Sequence, residues 1–363
     1  MSTLAGAFDA ALLDLDGTLY EGEAAIEGAH AALTAAGLPM VYITNNASRP
    51  PQVVADQLVS LGYDARAEDV LTSAQAAIEL ASELIEPGST VYVLGAASFA
   101  ELARQAGYTV TDSADDEVAA VFQGLNREMT WKQMSEAALA ISRGATYIAS
   151  NLDTTLPDER GFLVGNGSVA AALTTTTGVA PLSAGKPKPP MFHAAAKRLG
   201  AQAPLAIGDR LDTDIAGGNA AGFATLLVLT GVSTHLDVVN APAPQRPRYV
   251  AATMAGLGEP AQWATPGPQA GLSARIVTEP GAEPGSEPGA GPGVEAAEVV
   301  VLSGGDAADS RLADSAQAAA AALLTIVDVV WSRPDNASDN APAITQVRAE
   351  GALAEAALKA WRG

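Results

Sequence analysis

The chain of 363 residues contains no cysteine. That excludes a disulfide framework, a thiolate nucleophile and any zinc site built on Cys. Histidine is nearly as scarce, with only His30, His193 and His235, too few for a His-rich metal site. His30 reads as a helix-surface residue, His193 as part of a helix opening, and His235 as a residue at the rim of the expected cleft. Positive charge is in deficit: 20 Lys and Arg face 41 Asp and Glu, a formal charge of −21. Nucleic-acid binders carry a basic face, and polybasic membrane anchors gather cations, so neither partner is expected. The N-terminus lacks the basic start of a secretory signal and meets Asp9 early. The most apolar window, Ala316 to Trp331, is broken by Asp328 and falls short of the roughly 18–20 residues that span a bilayer. A soluble, cytoplasmic protein is the expectation. Aromatic residues make up only 5%, which disfavours a site that stacks nucleobases, although Trp131 or Phe122 alone would suffice for one.

Apolar residues are plentiful at 48%, enough for real cores, and the length suggests roughly two to three domains. Short apolar runs alternate with helical patterns. A strand over 8–13 precedes a helix over 25–36 that closes at Gly37. A strand over 40–43 precedes a helix opened by Pro50-Pro51, running to Ser60 with Gly62 past its end. Strands follow at 90–94, 118–123, 147–149, 204–207 and 225–229, with helices at 98–105, 131–143 and after Asp209. This alternation predicts a doubly wound, Rossmann-like α/β parallel sheet. In such sheets the active site lies beyond the carboxyl ends of the strands. After about residue 258 Pro, Gly and Glu crowd the sequence, and 263–293 reads as an acidic, mostly disordered linker. A strand at 298–302, an Ala-rich helix over about 309–331 and a last helix over about 343–361 follow. They are thin for an independent domain, so docking on the main body or on another subunit is expected.

Four polar clusters sit at strand ends. Asp14-Leu15-Asp16-Gly17-Thr18 offers two close carboxylates, suited to a hard cation, but Asp-Gly after a strand is also a common turn. Thr44-Asn45-Asn46 offers a hydroxyl and two amides for phosphoryl oxygens, or an ordinary helix cap. Gly185-Lys186-Pro187 places one lysine where it could neutralise a phosphate, although an isolated lysine is usually a surface residue. Its glycine spacing is not that of a P-loop. Asp209-Arg210-Leu211-Asp212-Thr213-Asp214 offers acids that could converge on one cation or form a solvated loop. Taken in order, the four resemble the haloacid dehalogenase superfamily. Leu19-Tyr20, Ile43-Thr44-Asn45-Asn46, Ser150-Asn151-Leu152-Asp153, Gly185-Lys186-Pro187-Lys188-Pro189 and the stretch Gly208–Gly231 are similar to its branch of NagD-type, phosphoglycolate and pyridoxal phosphate phosphatases.

The resemblance covers about residues 8–258. It implies a catalytic core formed by 1–78 and 178–258 and a type C2 α/β cap over 79–177; beyond it, composition and pattern give a linker over 259–296 and a small α/β extension over 297–363. It implies a phosphatase in which Asp14 is the nucleophile and Asp16 the general acid and base. Thr44, Asn45, Asn46 and Lys186 would hold phosphoryl oxygens, Gly17 would let backbone approach phosphate, and Asn151 and Asp153 would serve substrate at the cap's return. Mg²⁺, with Mn²⁺ or Co²⁺ as substitutes, would sit on the carboxylates of Asp14 and Asp209 and the Asp16 carbonyl, supported by Asp214. The implied substrate is a small phosphorylated metabolite, first glycerol 3-phosphate or 2-phosphoglycolate, with nucleotides, sugar phosphates and pyridoxal phosphate as alternatives. Asn126 stands where relatives carry Asp, which would ease admission of an anionic substrate. Such relatives often dimerise through the cap. The extension adds the alternative of a core regulated by a ligand- or partner-binding module: Arg348-Ala-Glu-Gly351-Ala-Leu353 partly resembles an acetyltransferase cofactor loop, with Leu353 where a small residue is expected.

Overall fold

The structure, a computed structural model, describes residues 2–158, 160–279, 297–333 and 343–361. The first segment of the main sheet runs β1 (Ala10–Leu13), a hairpin β2 (Tyr20–Glu21) and β3 (Ala24–Ala25), α1 (Ala29–Ala36), β4 (Met40–Thr44), α2 (Pro51–Ser60), β5 (Val70–Thr72) and α3 (Ser73–Ala81). A second unit follows: β6 (Thr90–Leu94), α4 (Ala97–Gln105), β7 (Thr109–Thr111), β8 (Ala120–Gln123), α5 (Trp131–Ser142), β9 (Thr146–Ala149), a hairpin β10 (Thr155–Asp158) and β11 (Gly161–Val164), α6 (Asn166–Thr177) and β12 (Leu182–Ser183). The chain returns through α7 (Pro190–Leu199), β13 (Pro204–Gly208), α8 (Ala216–Ala220), β14 (Ala224–Val228), α9 (His235–Val239) and β15 (Tyr249–Ala251). The extension holds β16 (Leu272–Glu279), β17 (Ala297–Gly304), α10 (Ser315–Trp331), β18 (Gln346–Glu350) and α11 (Ala352–Leu358).

The main sheet has the order β15-β14-β13-β1-β4-β5 and is parallel throughout. β1 sits at its centre and is buried at every position, as a strand covered on both faces must be, which is why it reads as an unbroken Ala-Ala-Leu-Leu run. The second sheet, β12-β9-β8-β6-β7, is also parallel. One apolar cluster joins the two units: Phe99 and Phe122 of the second pack with Ile43, Ala77, Met191 and Phe192 of the first. Phe122 is fully buried there and cannot stack on a base, whereas Trp131 is 83% exposed. The second sheet takes its last strand from β12, beyond the residue 177 at which the sequence placed the end of the insertion.

Several elements depart from expectation. Residues 24–25 form a strand and the helix starts only after Gly28, whose φ of +76° breaks the run. Part of the expected linker is ordered. Trp263 lies under the Arg311 guanidinium at 4.6 Å, and β16 pairs antiparallel with all of β17; the alternation Leu272, Ala274, Ile276 supplied the inward face, masked in the sequence by its Pro/Gly-rich flanks. The Pro-Gly repeats at 280–293 lie outside the described residues. The last helix begins at Ala352, because 346–350 pair as a parallel strand with β17.

The extension docks on the main body. Ala322, Leu323, Leu324, Ile326 and Val327 of α10 join one cluster with Leu211, Ile215, Leu227, Val238 and Val250. Asn240 closes the seam with two hydrogen bonds to the Ile344 backbone, at 2.8 and 3.0 Å. His235 is buried, its ring stacked on Trp361 at 5.1 Å; the sequence had placed it at a cleft rim because the covering extension was invisible there. Among the described residues no helix is long and apolar enough to cross a membrane. Leu324 is fully buried at the seam, and Leu324→Ala should lower stability in urea denaturation by roughly 2–5 kcal/mol; an unchanged midpoint would mean the seam does not contribute to the fold.

Candidate active site

The four polar clusters converge beyond the carboxyl ends of β1, β4 and β13, where parallel strands leave their last side chains facing one crevice. Asp14 follows β1 and Lys186 precedes α7. The Lys186 ammonium binds Asp14 Oδ1 directly and Asp214 Oδ1 at 2.7 Å. All three side chains are largely shielded from water. Burial alone would lower the Lys186 pKa, but Asp14 and Asp214 outweigh it and raise it, so the lysine is charged. Two of its three N–H groups are engaged, leaving one to aim at a phosphoryl oxygen. Thr18, fully buried and overlooked as a contributor in the sequence although part of the first motif, donates to Asp14 Oδ2 at 3.4 Å.

Asp209 is buried at the end of β13. Its Oδ2 accepts the Val232 N–H at 2.6 Å, and its Oδ1, though buried, has no hydrogen-bond partner. Gly17, at φ +79°, and Gly231 press on this carboxylate so closely that a Cβ at either would collide with it. Thr230 ties the same loop to the one that carries Asp14 by donating to the Gly17 carbonyl at 2.6 Å. One carboxylate oxygen each of Asp14, Asp209 and Asp214 lie within 4.8 Å of one another. Burial first, then Asp14 and Asp214, pushes the Asp209 pKa up to about 7. Burial and Asp14 push Asp214 to about 6, against the pull of Lys186. An orphaned buried oxygen within an all-oxygen set that repels itself fits a hard divalent cation such as Mg²⁺. The carboxylates of Asp14 and Asp209 would hold it. Asp214 is already occupied on both oxygens, by Lys186 and by the Arg210 N–H at 3.1 Å, which suits a supporting role.

Asp16 stands apart from the trio. Tyr20 donates to its Oδ2 at 3.4 Å. Burial raises its pKa, partly opposed by Lys186, Tyr20 and Arg49.

Matches to known proteins follow this geometry. A family described as haloacid dehalogenase-like hydrolase matches residues 11–109, and a HAD-hydrolase-like one matches 183–257. The D-glycerol 3-phosphate phosphatase of Mycobacterium tuberculosis is 37% identical over 99% of this chain and 96% of its own length. The chain belongs to the haloacid dehalogenase superfamily. The crystal structure of glycerol phosphate phosphatase from M. tuberculosis in complex with magnesium superposes with a TM-score of 0.83 at 35% identity, covering 99% of each chain. NagD from Escherichia coli K-12 superposes with a TM-score of 0.62 at 32% identity, covering 68% of this chain and 97% of its own, and places the chain in the NagD-like branch.

Within this haloacid dehalogenase site, several sequence-nominated residues do other work than expected. The Asn45 amide is fully engaged: Oδ1 accepts the Lys186 N–H at 2.8 Å, and Nδ2 donates to the Lys186 carbonyl at 3.0 Å and to the Asp153 carboxylate at 3.2 and 3.3 Å. It has no N–H left for a phosphoryl oxygen. Asn151 donates to the Asn45 carbonyl at 2.7 Å, so Asn151 and Asp153 brace Asn45 instead of reaching for substrate. The Asn46 oxygen accepts from both the Ser48 N–H and its hydroxyl at 2.9 Å. That closes a turn, while α2 starts from Pro50 with no side-chain cap. Thr44 Oγ1 accepts the Asn46 N–H at 3.2 Å and keeps its own proton to donate. Asn126 donates to the Gly95 carbonyl at 3.2 Å and accepts from Glu128; aspartate could not make the first bond.

The raised Asp209 and Asp214 pKa values set a pH dependence. Metal-free, these groups bind protons in the fold that the unfolded chain releases near pH 4, so their contribution to stability fades as pH rises from about 4 to about 7. A cation needs the same groups deprotonated. One fixed Mg²⁺ concentration should therefore raise the melting temperature more near pH 8 than near pH 5, the stabilisation being about 2.7 kcal/mol where that concentration is a hundredfold above Kd. An equal rise at both, read by differential scanning fluorimetry, would contradict the carboxylate site.

Proposed function

We propose that this protein is a magnesium-dependent phosphatase that hydrolyses small phosphomonoesters through an aspartyl phosphate on Asp14. Glycerol 3-phosphate is its preferred substrate and 2-phosphoglycolate the next. The observation that carries the substrate reading is the identity to D-glycerol 3-phosphate phosphatase along 99% of the chain, extension included. The site geometry supports the reaction. Asp14 attacks phosphorus, the new P–O bond forms to its carboxylate, and the bond to the substrate oxygen breaks as Asp16 hands that oxygen its proton. Asp16 then takes a proton from water as the water oxygen bonds to phosphorus and the Asp14–phosphorus bond breaks, freeing phosphate. Lys186 and the Thr44 hydroxyl meet the charge that spreads over the phosphoryl oxygens. When bound, Mg²⁺ offsets repulsion between the anionic nucleophile and the anionic substrate.

The inserted second sheet serves as a C2 cap that excludes water over the leaving group. The buried position of Phe122 weighs against a nucleobase platform. The protein acts on soluble metabolites in the cytoplasm, without nucleic-acid or membrane partners. Exposed Phe162 and Val164 on β11 and Leu182 on β12 support pairing of two copies through the cap. A second reading, regulation through the extension, is favoured by a cavity of about 460 Å³ between the β2–β3 hairpin and α10, lined by Thr230, His235 and Ala319 among others. A ligand there would press on the Thr230–Gly17 bond and change turnover without competing with substrate.

Phosphate release from a panel of phosphomonoesters, with and without Mg²⁺, tests the main reading. Glycerol 3-phosphate should rank first in kcat/KM, and Asp14→Asn should lose at least about a thousandfold in kcat. Metal-independent release, or release that survives Asp14→Asn, would refute it.

A further inference from the structure

A chain of buried side-chain amides runs from the middle of the second sheet to the catalytic lysine. Gln123, at the end of β8, donates to the Asn166 side-chain oxygen and to its carbonyl, the latter at 3.3 Å. Asn166, at the start of α6, donates to the Asn151 carbonyl at 2.7 Å. Asn151 donates to the Asn45 carbonyl at 2.7 Å, which also accepts the Ser73 hydroxyl at 2.6 Å. Asn45 then grips the Lys186 peptide from both sides, as a neighbouring strand would, and its remaining N–H meets Asp153. Gln123, Asn151 and Asn166 are all buried. The packing leaves no slack: a Cβ on Gly185 would meet Asn45 Oδ1 at 2.6 Å and collide with the Ser150 carbonyl, and one on Gly167 would collide with Leu152.

Buried amides are costly unless each finds a partner, and a fully satisfied network fixes one arrangement. The ammonium of Lys186 can meet phosphate only if its backbone is held. We infer that Asn45 and Asp153 are positioning residues that couple the seating of the cap to the placement of Lys186. When residues 151–153 of the cap rest on Asn45, the lysine peptide is clamped and the ammonium points at Asp14. When they lift, Asn45 loses Asp153 and Asn151 together, and its grip on Lys186 loosens. Motion of the cap is thereby read out at the phosphoryl site without any cap residue touching phosphate. This rests on the phosphatase reading only for its kinetic arm.

The test reverses the polarity of the contact. Asn45→Asp keeps the acceptor for the Lys186 N–H but sets a carboxylate against Asp153. It should lower kcat/KM for an aryl phosphate and weaken competitive binding of inorganic phosphate, each by roughly ten- to hundredfold. Adding Asp153→Asn restores a donor–acceptor pair in the opposite sense and should recover much of that loss. Mg²⁺ affinity, measured by titration calorimetry, should stay within about threefold, since the carboxylate trio is untouched; a merely structural role would not separate the two ligands. A double variant no better than Asn45→Asp, or an unchanged phosphate affinity, would overturn the inference. If Asn45→Asp does not fold, Asp153→Ala alone should weaken phosphate binding severalfold, and no change there overturns it equally. Wild-type protein inert toward the aryl phosphate and toward every phosphomonoester of the panel would sink the phosphatase reading, while phosphate binding by the variants would still decide this one.

Discussion

One buried ion group governs this molecule: the Lys186 ammonium held between Asp14 and Asp214, with Asp209 close behind. Desolvating charges is expensive, and attraction between partners offsets it only when geometry and hydrogen bonding are complete. Here three carboxylates face one lysine. Lys186 satisfies one oxygen each of Asp14 and Asp214, the Arg210 N–H satisfies the other oxygen of Asp214, and one oxygen of Asp209 is left bare. The excess negative charge is what a divalent cation would neutralise, and the free N–H of Lys186 is what a phosphoryl oxygen would meet. The unbalanced charge and the free donor thus match one divalent cation and one phosphoryl group.

Much of the surrounding architecture keeps that group in place. Central burial of β1 fixes Asp14, and the glycines at 17 and 231 let two loops close on Asp209. The Val232 N–H that holds Asp209 lies three residues before α9, against which the extension packs. The extension is therefore part of the same body as the loop that holds Asp209, which gives a physical reason for the mycobacterial relative to match this chain over 96% of its own length.

The sheet, the strand-end placement of the motifs and the convergence of Asp14, Lys186, Asp209 and Asp214 were legible in the sequence, because buried parallel strands write continuous apolar runs and the motifs follow them directly. The duty of each polar residue was not. Asn45 was read as a phosphate ligand because amides beside a phosphate site suggest donors, and Asn151 and Asp153 because they resemble a family pattern; only the geometry reveals that the Asn151 amide donates to the Asn45 carbonyl and the Asn45 amide to the Asp153 carboxylate. Val232 contributes a backbone N–H, which no residue type announces. Strands β16 and β18 were missed for another reason. One sits beside Pro/Gly-rich sequence and the other, Gln346–Glu350, is a half-exposed edge with little apolar signal.

The central claim is that phosphorus passes through a covalent bond to Asp14. Acid-quenched mass spectrometry of the protein during turnover of glycerol 3-phosphate measures this directly. The account predicts a phosphoryl group on the peptide that carries Asp14, accumulating further when Asp16→Asn slows its hydrolysis. Turnover with no covalent species in either protein, or a phosphoryl group on another residue, would contradict it.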